Sequence, residues 1–213
     1  MLPLLQIQPV ELGTSIHAAN TLIFVSANAV RMGLSQLESR GVELSGKRLL
    51  AIGPATRAEI EKAGFTAEIS ESGYRSEELL DKLRSEKEVT TEYTLVCGVG
   101  GREFLEKGLG ELGALVNRLE VYRRVPSEDI ESSLADLNQQ TPPDLISLMN
   151  EESLWIFEMA ISGLGLDHWK KIPVLVSSTR IQESAKQLGF IQVFCQPDPT
   201  ERALIEFLAQ FSH

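Results

Sequence analysis

An internal repeat on either side of the segment Leu119–Pro126 is the feature that most limits how this chain can fold. The apolar run Leu22–Val30, which breaks into a polar turn, aligns with Ile146–Leu154 at an offset of 124 residues. The run Leu49–Thr56 aligns with Pro173–Arg180 at the same offset. A duplication inside a chain of 213 residues, which is long enough for two domains of about 100 residues each, predicts two related lobes joined by a hinge.

Short apolar runs alternate with longer amphipathic segments in both halves of the repeat. Thr21–Val25 is a nearly continuous apolar run of the kind found in buried parallel strands. Ser26 is a preferred N-cap for the helix that follows, and Gly41 is placed to end that helix. Strands that alternate with helices of about 10 to 15 residues indicate parallel βαβ units, and hence an α/β fold.

The remaining elements are predicted from the same apolar runs, caps and glycines. Strands are expected at 3–10, 49–52, 67–69, 94–97, 114–116, 118–126, 145–148, 173–176 and 192–194. Helices are expected before Gly64, from a Ser76 cap, at 102–112, at 128–137, after the strands 145–148 and 173–176, and from a Thr200 cap to about 211. Prolines on both sides of 3–10 indicate an edge or connecting strand.

The two predicted lobes differ in content. We expect a hinge strand at 1–10, a first α/β lobe at 11–117, a second hinge strand at 118–126 and a second α/β lobe at 127–213. The first lobe holds a strand and helix at 94–112 that the second copy never supplies. Since such a unit takes about 30 residues, the missing N-terminal βα unit of the incomplete second lobe is expected to precede residue 1.

The net charge, the lengths of the apolar runs, and the cysteine and histidine positions exclude several classes of protein. A net charge of −10 argues against nucleic acid as a partner, because such binding depends on Lys and Arg neutralising phosphates. No apolar run approaches the roughly 20 residues of a membrane span, and the first residues lack the basic region of a signal peptide. Cys97 and Cys195 fit isolated thiols in a cytoplasmic protein. His17, His168 and His213 are too far apart for metal-ligand spacing, so no metal site is predicted.

The turns that follow the predicted strands are rich in small and hydroxyl residues. They are Ser26–Asn28, Gly53–Thr56, Gly98–Gly101 and Ser177–Thr179. Ligands of open parallel sheets bind beyond the carboxyl ends of the strands, where helix N-termini present free N–H groups. A site lined by such amides suits carboxylates or phosphates, whereas ordinary helix capping is the alternative explanation for any one turn.

Tyr122, in the predicted hinge, is the main candidate for a catalytic side chain. A phenol is protonated at neutral pH and can donate a proton or a hydrogen bond to a leaving group. The alternative is an aromatic ring that packs one face of the hinge strand. Arg102, Arg123 and Arg124 are candidates for local positive charge, or equally for a solvated face.

Four segments, taken in order and spacing, resemble the uroporphyrinogen-III synthase family of tetrapyrrole synthesis. They are Leu22–Val30, similar to the first-lobe turn of the family; Ala51–Thr56, similar to its Gly-x-x-Thr turn; Gly100–Glu103, similar to its Gly-Gly-Arg-Glu helix start; and Leu119–Arg124, similar to its hinge tyrosine segment. The resemblance implies two flavodoxin-like lobes with parallel sheets, joined by a two-stranded β hinge of 3–10 against 119–125. It also implies that the first strand and helix of a family chain belong to the second lobe.

The same resemblance implies a cyclising lyase without cofactor. Its small-molecule substrate is hydroxymethylbilane, which loses its terminal hydroxyl and closes to uroporphyrinogen III with inversion of ring D through a spiro intermediate. By this analogy Tyr122 assists hydroxyl loss and Thr56 contacts the substrate. The substrate carboxylates are expected at a set of turn residues, mainly through main-chain N–H groups: Ser26, Ala27, Asn28, Gly53, Ala55, Gly98, Gly100, Ser178 and Thr179. We expect a monomer.

Several departures from the family pattern keep alternatives open. Cys97 stands where an arginine is common, Val99 stands where an acid is common, and Leu148–Asn150 replaces a Thr-Ser strand end. The Thr-Arg-Pro strand end of the family is missing with the N-terminal unit. One alternative is a two-lobed, non-catalytic protein that binds an anionic small molecule such as a tetrapyrrole. Another is an incomplete chain that self-associates through an open sheet edge.

Overall fold

The computed structural model describes residues 2–14, 16–86, 91–101, 103–140, 142–198 and 201–211. The strands are β1 (Leu5–Pro9), β2 (Thr21–Phe24), β3 (Arg48–Ala51), β4 (Glu92–Gly98), β5 (Leu115–Pro126), β6 (Ile146–Leu148), β7 (Val174–Val176) and β8 (Val193–Cys195). The helices are α1 (Ala27–Ser39), α2 (Pro54–Lys62), α3 (Ser76–Ser85), α4 (Phe104–Glu111), α5 (Ile130–Gln139), α6 (Glu151–Gly163), α7 (Thr179–Gln187) and α8 (Glu201–Phe211), with a 3₁₀ helix at Asp167–Lys171.

The chain divides into two compact units, Ile7–Val125, and Met1–Gln6 with Pro126–His213. The first unit is built on a sheet with the strand order β1-β5-β4-β2-β3. Strand β2 pairs in parallel with β3 on one side and β4 on the other, and β4 pairs in parallel with β5. These pairings confirm a mixed α/β fold with parallel strands, and β1 lies at the sheet edge as predicted.

The alternating apolar residues of β2 explain why this sheet has a helix layer on each face. Leu22 and Phe24 belong to the core cluster under α1 and α2, whereas Ile23 belongs to the cluster under α3 and α4. All three side chains are fully buried. Burying one such side chain is worth roughly 1.5 to 3 kcal/mol, so a strand of four residues contributes strongly to holding both layers.

The second unit is built on a smaller parallel sheet with the order β6-β7-β8. Its core contains an aromatic group in which Phe157 lies between Trp169 and Phe190, with ring centroids 6.3 and 6.2 Å away. Strand β6 pairs with β7, and no described residue pairs with its other side. Helices α6 and α7 follow β6 and β7 as the repeat predicts.

Three predicted elements differ from the structure, each for a local reason. The predicted strand 67–69 is a single bridge between Leu50 and Glu68, because a serine turn bonded through Ser70 and Ser72 follows at once. Ser76 begins α3 but does not cap it, since the N-cap is Arg75 and its N–H donates to the Glu78 carboxylate at 3.1 Å.

The predicted strands 114–116 and 118–126 form the single strand β5 of 12 residues. The intervening Asn117 continues the strand, because it stays in register with Thr94 of β4. The predicted helix cap Thr200 lies outside the described residues, as does Arg102.

Candidate functional site

A pocket of about 530 Å³ lies at the carboxyl ends of the parallel strands in the unit Ile7–Val125. Its walls combine apolar residues from the strand ends with hydroxyl, thiol and charged side chains. The polar and charged lining residues are Ser26, Arg75, Ser76, Glu77, Cys97, Arg118, Tyr122 and Arg124. This is the edge at which parallel sheets bind ligands, so it is the candidate site.

An irregularity in the pairing of β4 with β5 sets the position of Tyr122. Cys97 pairs with Glu120, but the next residue, Gly98, pairs with Tyr122, so Val121 is an extra residue on β5. Bulges of this kind bend a strand and re-aim its side chains, and they recur beside active sites. Tyr122 is only 4% exposed, and it lines the pocket.

Gly98 is required by how close the Tyr122 ring comes to the backbone of β4. A Cβ added at Gly98 would lie 2.6 Å from Cζ of Tyr122 and 3.0 Å from its hydroxyl oxygen. Val99 N also donates to the Tyr122 carbonyl at 2.8 Å, which fixes the backbone of both strands here. Gly98 therefore leaves space for the Tyr122 ring. This role differs from the carboxylate binding expected from the sequence.

The Tyr122 hydroxyl lies 3.1 Å from Oγ of Ser26, the residue between β2 and α1. Ser26 is the N-cap of α1, as predicted, because its Oγ accepts a hydrogen bond from Ala29 N at 3.1 Å. The first turn of a helix presents unsatisfied N–H groups and a positive dipole end. Tyr122 and the α1 N-terminus thus meet at one wall of the pocket.

The charged lining of the pocket is positive although the protein is acidic. Three arginines, Arg75, Arg118 and Arg124, line it together with one glutamate, Glu77, whereas the whole chain carries a net charge of −10. Arg118 also binds the carboxylates of Glu106 at 3.1 Å and Glu120 at 3.3 Å. The lining side chains alone carry an excess of positive charge, which the two carboxylates bound to Arg118 offset.

Cys97 contributes a neutral thiol to the pocket wall. Burial raises the pKa of the Cys97 thiol, and the nearby Arg118 guanidinium opposes that rise only in part. Cys97 and Cys195 are both free. A buried thiol with a raised pKa is a poor nucleophile.

Three residues predicted from the sequence come together in the pocket, namely Ser26, Gly98 and Tyr122. Thr56 is 3% exposed, and its hydroxyl donates to the Ile52 carbonyl at 3.3 Å inside the first turn of α2. Other predicted residues lie on the turns around the pocket or in the first turns of α1 and α2: Ala27, Asn28, Gly53, Ala55 and Gly100. Gly53 and Gly100 have positive φ values of 94° and 70°, which glycine tolerates best.

The remaining predicted residues, Ser178 and Thr179, belong to the second unit. Ser178 is the N-cap of α7, and its Oγ accepts from Ile181 N at 3.4 Å. Thr179 is the first residue of that helix.

Arg75 and Arg118 line the pocket but were missed by the sequence analysis. Even spacing to Tyr122 does not mark Arg118, because the extra residue Val121 lies between them and interrupts the alternation of faces along β5. The structure also places Arg124, rather than Arg123, at the pocket. Nothing in the local sequence marked Arg75, which precedes α3.

Two searches of the described residues bear on the class of the protein. No described helix has both the length and the apolar character that crossing a bilayer requires. No group of three or more His, Cys, Asp or Glu side chains within the described ranges is arranged to hold a metal ion.

A family profile described as uroporphyrinogen-III synthase HemD matches residues 1–206. The chain belongs to the uroporphyrinogen-III synthase family. The resemblance inferred from the four sequence segments is thereby confirmed. Uroporphyrinogen-III synthases are cyclising lyases of porphyrin biosynthesis, and that activity is the function of this chain.

Solved structures of uroporphyrinogen-III synthases share the fold. The uroporphyrinogen-III synthetase of Helicobacter pylori is 17% identical, with a TM-score of 0.69 over 98% of this chain and 91% of that one. A variant of the Thermus thermophilus synthase is 15% identical, with a TM-score of 0.58 over 99% of this chain and 88% of that one. At these identities the structural similarity supports the fold alone, and the family match supports the function.

Proposed function

We propose that this chain converts hydroxymethylbilane to uroporphyrinogen III in the pocket of the unit Ile7–Val125, with Tyr122 as proton donor. The single observation that carries this site is the Tyr122 hydroxyl, held 3.1 Å from Ser26 Oγ in a pocket with three arginines. Hydroxyl loss needs an acid because hydroxide is a poor leaving group. Among the polar lining residues, the phenol combines a transferable proton with a fixed position.

The step assigned to Tyr122 breaks the bond between the terminal carbon and its hydroxyl oxygen. Both electrons of that bond stay with the oxygen, which takes the Tyr122 proton and leaves as water. The electron-rich pyrrole stabilises the cationic carbon until it bonds to ring D, which is then inverted through the spiro intermediate. Ring closure releases a proton that restores the phenol, so the bilane yields uroporphyrinogen III and one water.

The positive wall of the pocket supports the binding part of the proposal. The substrate carries many carboxylates, and Arg75 and Arg124 offer charge at the same pocket as Tyr122. Free N–H groups at the starts of α1 and α2 offer further donors. The turn residues given for carboxylate binding in the first unit, Ala27, Asn28, Gly53, Ala55 and Gly100, remain our proposed ligands through their main chain.

Three further assignments stay proposals. Contact between Thr56 and the substrate requires its hydroxyl to turn away from the Ile52 carbonyl. Ser178 and Thr179 are proposed ligands because α7 begins with the same kind of capped turn as α1. The predicted boundaries 1–10, 11–117, 118–126 and 127–213 describe two flavodoxin-like lobes with a β hinge, a division supported by the separate parallel sheets.

We propose, too, that the enzyme acts as a cytoplasmic monomer without a cofactor. The free thiols Cys97 and Cys195 suit a reducing compartment. A single chain supplies every residue of the pocket described above. Light scattering of the purified protein tests the monomer, and a mass of two or more chains would contradict it.

The decisive experiment is an isomer analysis. Freshly prepared hydroxymethylbilane is given to the purified chain, and the oxidised products are separated into type I and type III isomers. Spontaneous closure gives type I, so a sample without protein is the control. We expect type III to dominate. Type I alone, together with retained binding of the bilane, would overturn the proposal in favour of a non-catalytic tetrapyrrole-binding protein.

A further inference from the structure

The hydroxyl of Ser26 has two neighbours, and both are protein atoms. Ala29 N lies 3.1 Å from Oγ and donates to it, which uses one lone pair. The Tyr122 hydroxyl oxygen also lies 3.1 Å from Oγ. A serine hydroxyl has one proton to give and two lone pairs to accept with, so the direction of the bond to Tyr122 decides where each proton points.

The two possible directions have different chemical consequences. If Tyr122 donates to Ser26, the phenol proton is held by the protein and is not aimed at a ligand. If Ser26 donates to Tyr122, the phenol proton is free to point into the pocket. The second arrangement also gives the phenol oxygen a donor that strengthens as negative charge develops on it, because hydrogen bonds to charged atoms are the stronger ones.

The position of the pair at a helix terminus favours the second arrangement. Ser26 caps the 13-residue helix α1, whose positive N-terminal end is adjacent. Electrostatic stabilisation of a developing phenolate by such an end requires that the tyrosine, and not the serine, carries the new negative charge. The close contact between the Tyr122 ring and Gly98 keeps the ring in place while the negative charge develops.

We propose that Ser26 is a positioning residue that donates its proton to the Tyr122 oxygen, accepts from Ala29 N, and thereby aims the Tyr122 proton at the leaving hydroxyl. This inference rests on the proposed function. It gives the Ser26 side chain a role beside the carboxylate binding, mainly through main-chain N–H groups, that the sequence predicts for this residue. Its hydroxyl is occupied by Ala29 and Tyr122, and any contact between Ser26 and substrate runs through the main chain.

The kinetic test compares Ser26→Gly with Ser26→Thr. Glycine is nearly as good an N-cap as the residues it replaces, so Ser26→Gly removes the hydroxyl and largely spares the helix. We expect kcat to fall about tenfold to a hundredfold with KM unchanged, the range for losing a hydrogen bond to a charged group. Ser26→Thr keeps the hydroxyl and should restore kcat to within a few-fold of wild type. A rise in KM with kcat unchanged would overturn the inference, because it would make Ser26 a substrate ligand.

A double-mutant cycle separates this role from a general loss of structure. In the Tyr122→Phe background no phenol oxygen remains to be aimed, so adding Ser26→Gly should lower kcat no further. A full additional loss in the double variant would contradict the coupling between the two hydroxyls.

A spectroscopic measurement tests the bond without relying on activity. The intensity ratio of the tyrosine Fermi doublet in ultraviolet resonance Raman spectra rises when the phenol oxygen accepts a hydrogen bond and falls when the phenol only donates. The chain has three tyrosines, so subtracting the Tyr122→Phe spectrum isolates Tyr122. We expect the ratio to fall in Ser26→Gly and to stay high in Ser26→Thr.

The two measurements distinguish the inference from the function. An unchanged Raman ratio in Ser26→Gly would overturn the hydrogen-bond direction even if the chain is an active synthase. A ratio that falls as expected, in a chain that gives only type I product, would keep the hydrogen bond from Ser26 to Tyr122 and overturn the proposed proton transfer together with the positioning role.

Discussion

The segment from β2 to α2 and the segment from β6 to α7 share the order of their strands and helices, and α1 and α6 match residue by residue at an offset of 124. Ser26 and Asn150, 124 positions apart, both cap a 13-residue helix from an extended conformation, with φ of −162° and −146°. Gly41 and Gly165 then take φ values of 77° and 70°, again 124 positions apart. The duplication thus preserves helix starts and helix stops, which are set by the local chemistry of caps and glycines.

The two segments differ in the strands beside them, and the candidate chemistry follows that difference. Strand β2 lies between β3 and β4, and β5 beyond β4 brings Tyr122 to the Ser26 cap. Strand β6 pairs with β7, and no described residue pairs with its other side. All three tyrosines precede residue 126. A repeat can therefore duplicate a scaffold, while the reacting group comes from a strand outside the repeated segment.

The largest expected effect comes from removing the Tyr122 hydroxyl, which β5 brings to the cap of the first segment. Tyr122→Phe deletes the proton donor while keeping the ring against Gly98. We expect kcat for type III product to fall by about 10² to 10⁴, the usual contribution of a positioned acid, with binding of the bilane retained. Steady-state kinetics with isomer analysis measures this.

Tyr93→Phe is the matched control for that variant. Tyr93 is buried in the core under α3 and α4 and does not line the pocket, so the same change there should leave turnover within about twofold of wild type, since nothing in the chemistry uses its hydroxyl. Full activity in Tyr122→Phe would show that the phenol does not donate the proton.

A somewhat smaller effect is expected from disturbing the contact between Gly98 and the Tyr122 ring without removing the Tyr122 hydroxyl. In Gly98→Ala the new Cβ would lie 2.6 Å from Cζ of Tyr122, so the ring must move. Small misplacements of a reacting group can cost up to about a hundredfold in rate, and we expect kcat to fall between tenfold and a hundredfold.

Gly110→Ala controls for the substitution itself. Apart from its chain neighbours and the backbone of its own helix, nothing lies within 4 Å of the Cβ position at Gly110, which is an exposed residue in α4. Alanine there should leave kcat unchanged and stabilise the helix by up to about 1 kcal/mol. A Gly98→Ala enzyme as active as Gly110→Ala would show that the tyrosine does not depend on this contact.

Much of the scaffold could be predicted because it depends on short-range chemistry. The strand β2, the Ser26 cap and the helix end before Gly41 follow from an apolar run, a capping side chain and a glycine. The pocket could be predicted only in part. The Tyr122 hydroxyl reaches Ser26 because of the irregular pairing between Cys97 and Gly98, and pairing between strands far apart in sequence leaves no local signal.

The arginines of the pocket show the same limit. Arg118 could not be placed from its spacing to Tyr122, because the extra residue Val121 interrupts the alternation of faces along β5. Arg75 reaches the pocket from the start of α3, and its position depends on how that helix packs on the sheet. Thr56 differs from the arginines, because a family motif marked it in the sequence. In this structure its hydroxyl donates to the Ile52 carbonyl.

Exchanging one N-cap residue for the other should leave the free energy of unfolding nearly unchanged, because each side chain accepts a hydrogen bond from a backbone N–H in the first turn of its helix. Asn150 Oδ1 accepts from Ser153 N at 2.8 Å. Asn150→Ala should lower the free energy of unfolding by about 1 kcal/mol, whereas Asn150→Ser, which copies the first segment, should stay within a few tenths of wild type. Urea unfolding followed by circular dichroism measures both. Equal losses in the two variants would mean that Asn150 stabilises the protein through something other than its cap.

The smallest effect concerns an ion-pair network that links β3 of the first segment to residues beyond α2. Arg48 of β3 binds Glu68 at 2.8 Å and Glu86 at 2.6 Å, and Lys82 binds both carboxylates. Hydrogen bonds from Arg48, aided by Lys82, lower the pKa of Glu68 to about 2 from an ordinary 4.5. Because the folded pKa lies below the unfolded one, the stabilisation is fully present above about pH 5 and disappears as the pH falls towards 2.

Glu68→Gln tests this network across that pH range. The Glu68 side chain is 48% exposed, so solvent screens the pair and we expect a loss of only about 0.5 to 1 kcal/mol in the free energy of unfolding at pH 7. The difference between wild type and Glu68→Gln should shrink as the pH falls from 5 towards 2, and should also shrink at 1 M salt, where the Debye length is about 3 Å. A difference that stays constant from pH 7 to pH 2 would show that Glu68 stabilises the protein through packing rather than through its ion pairs.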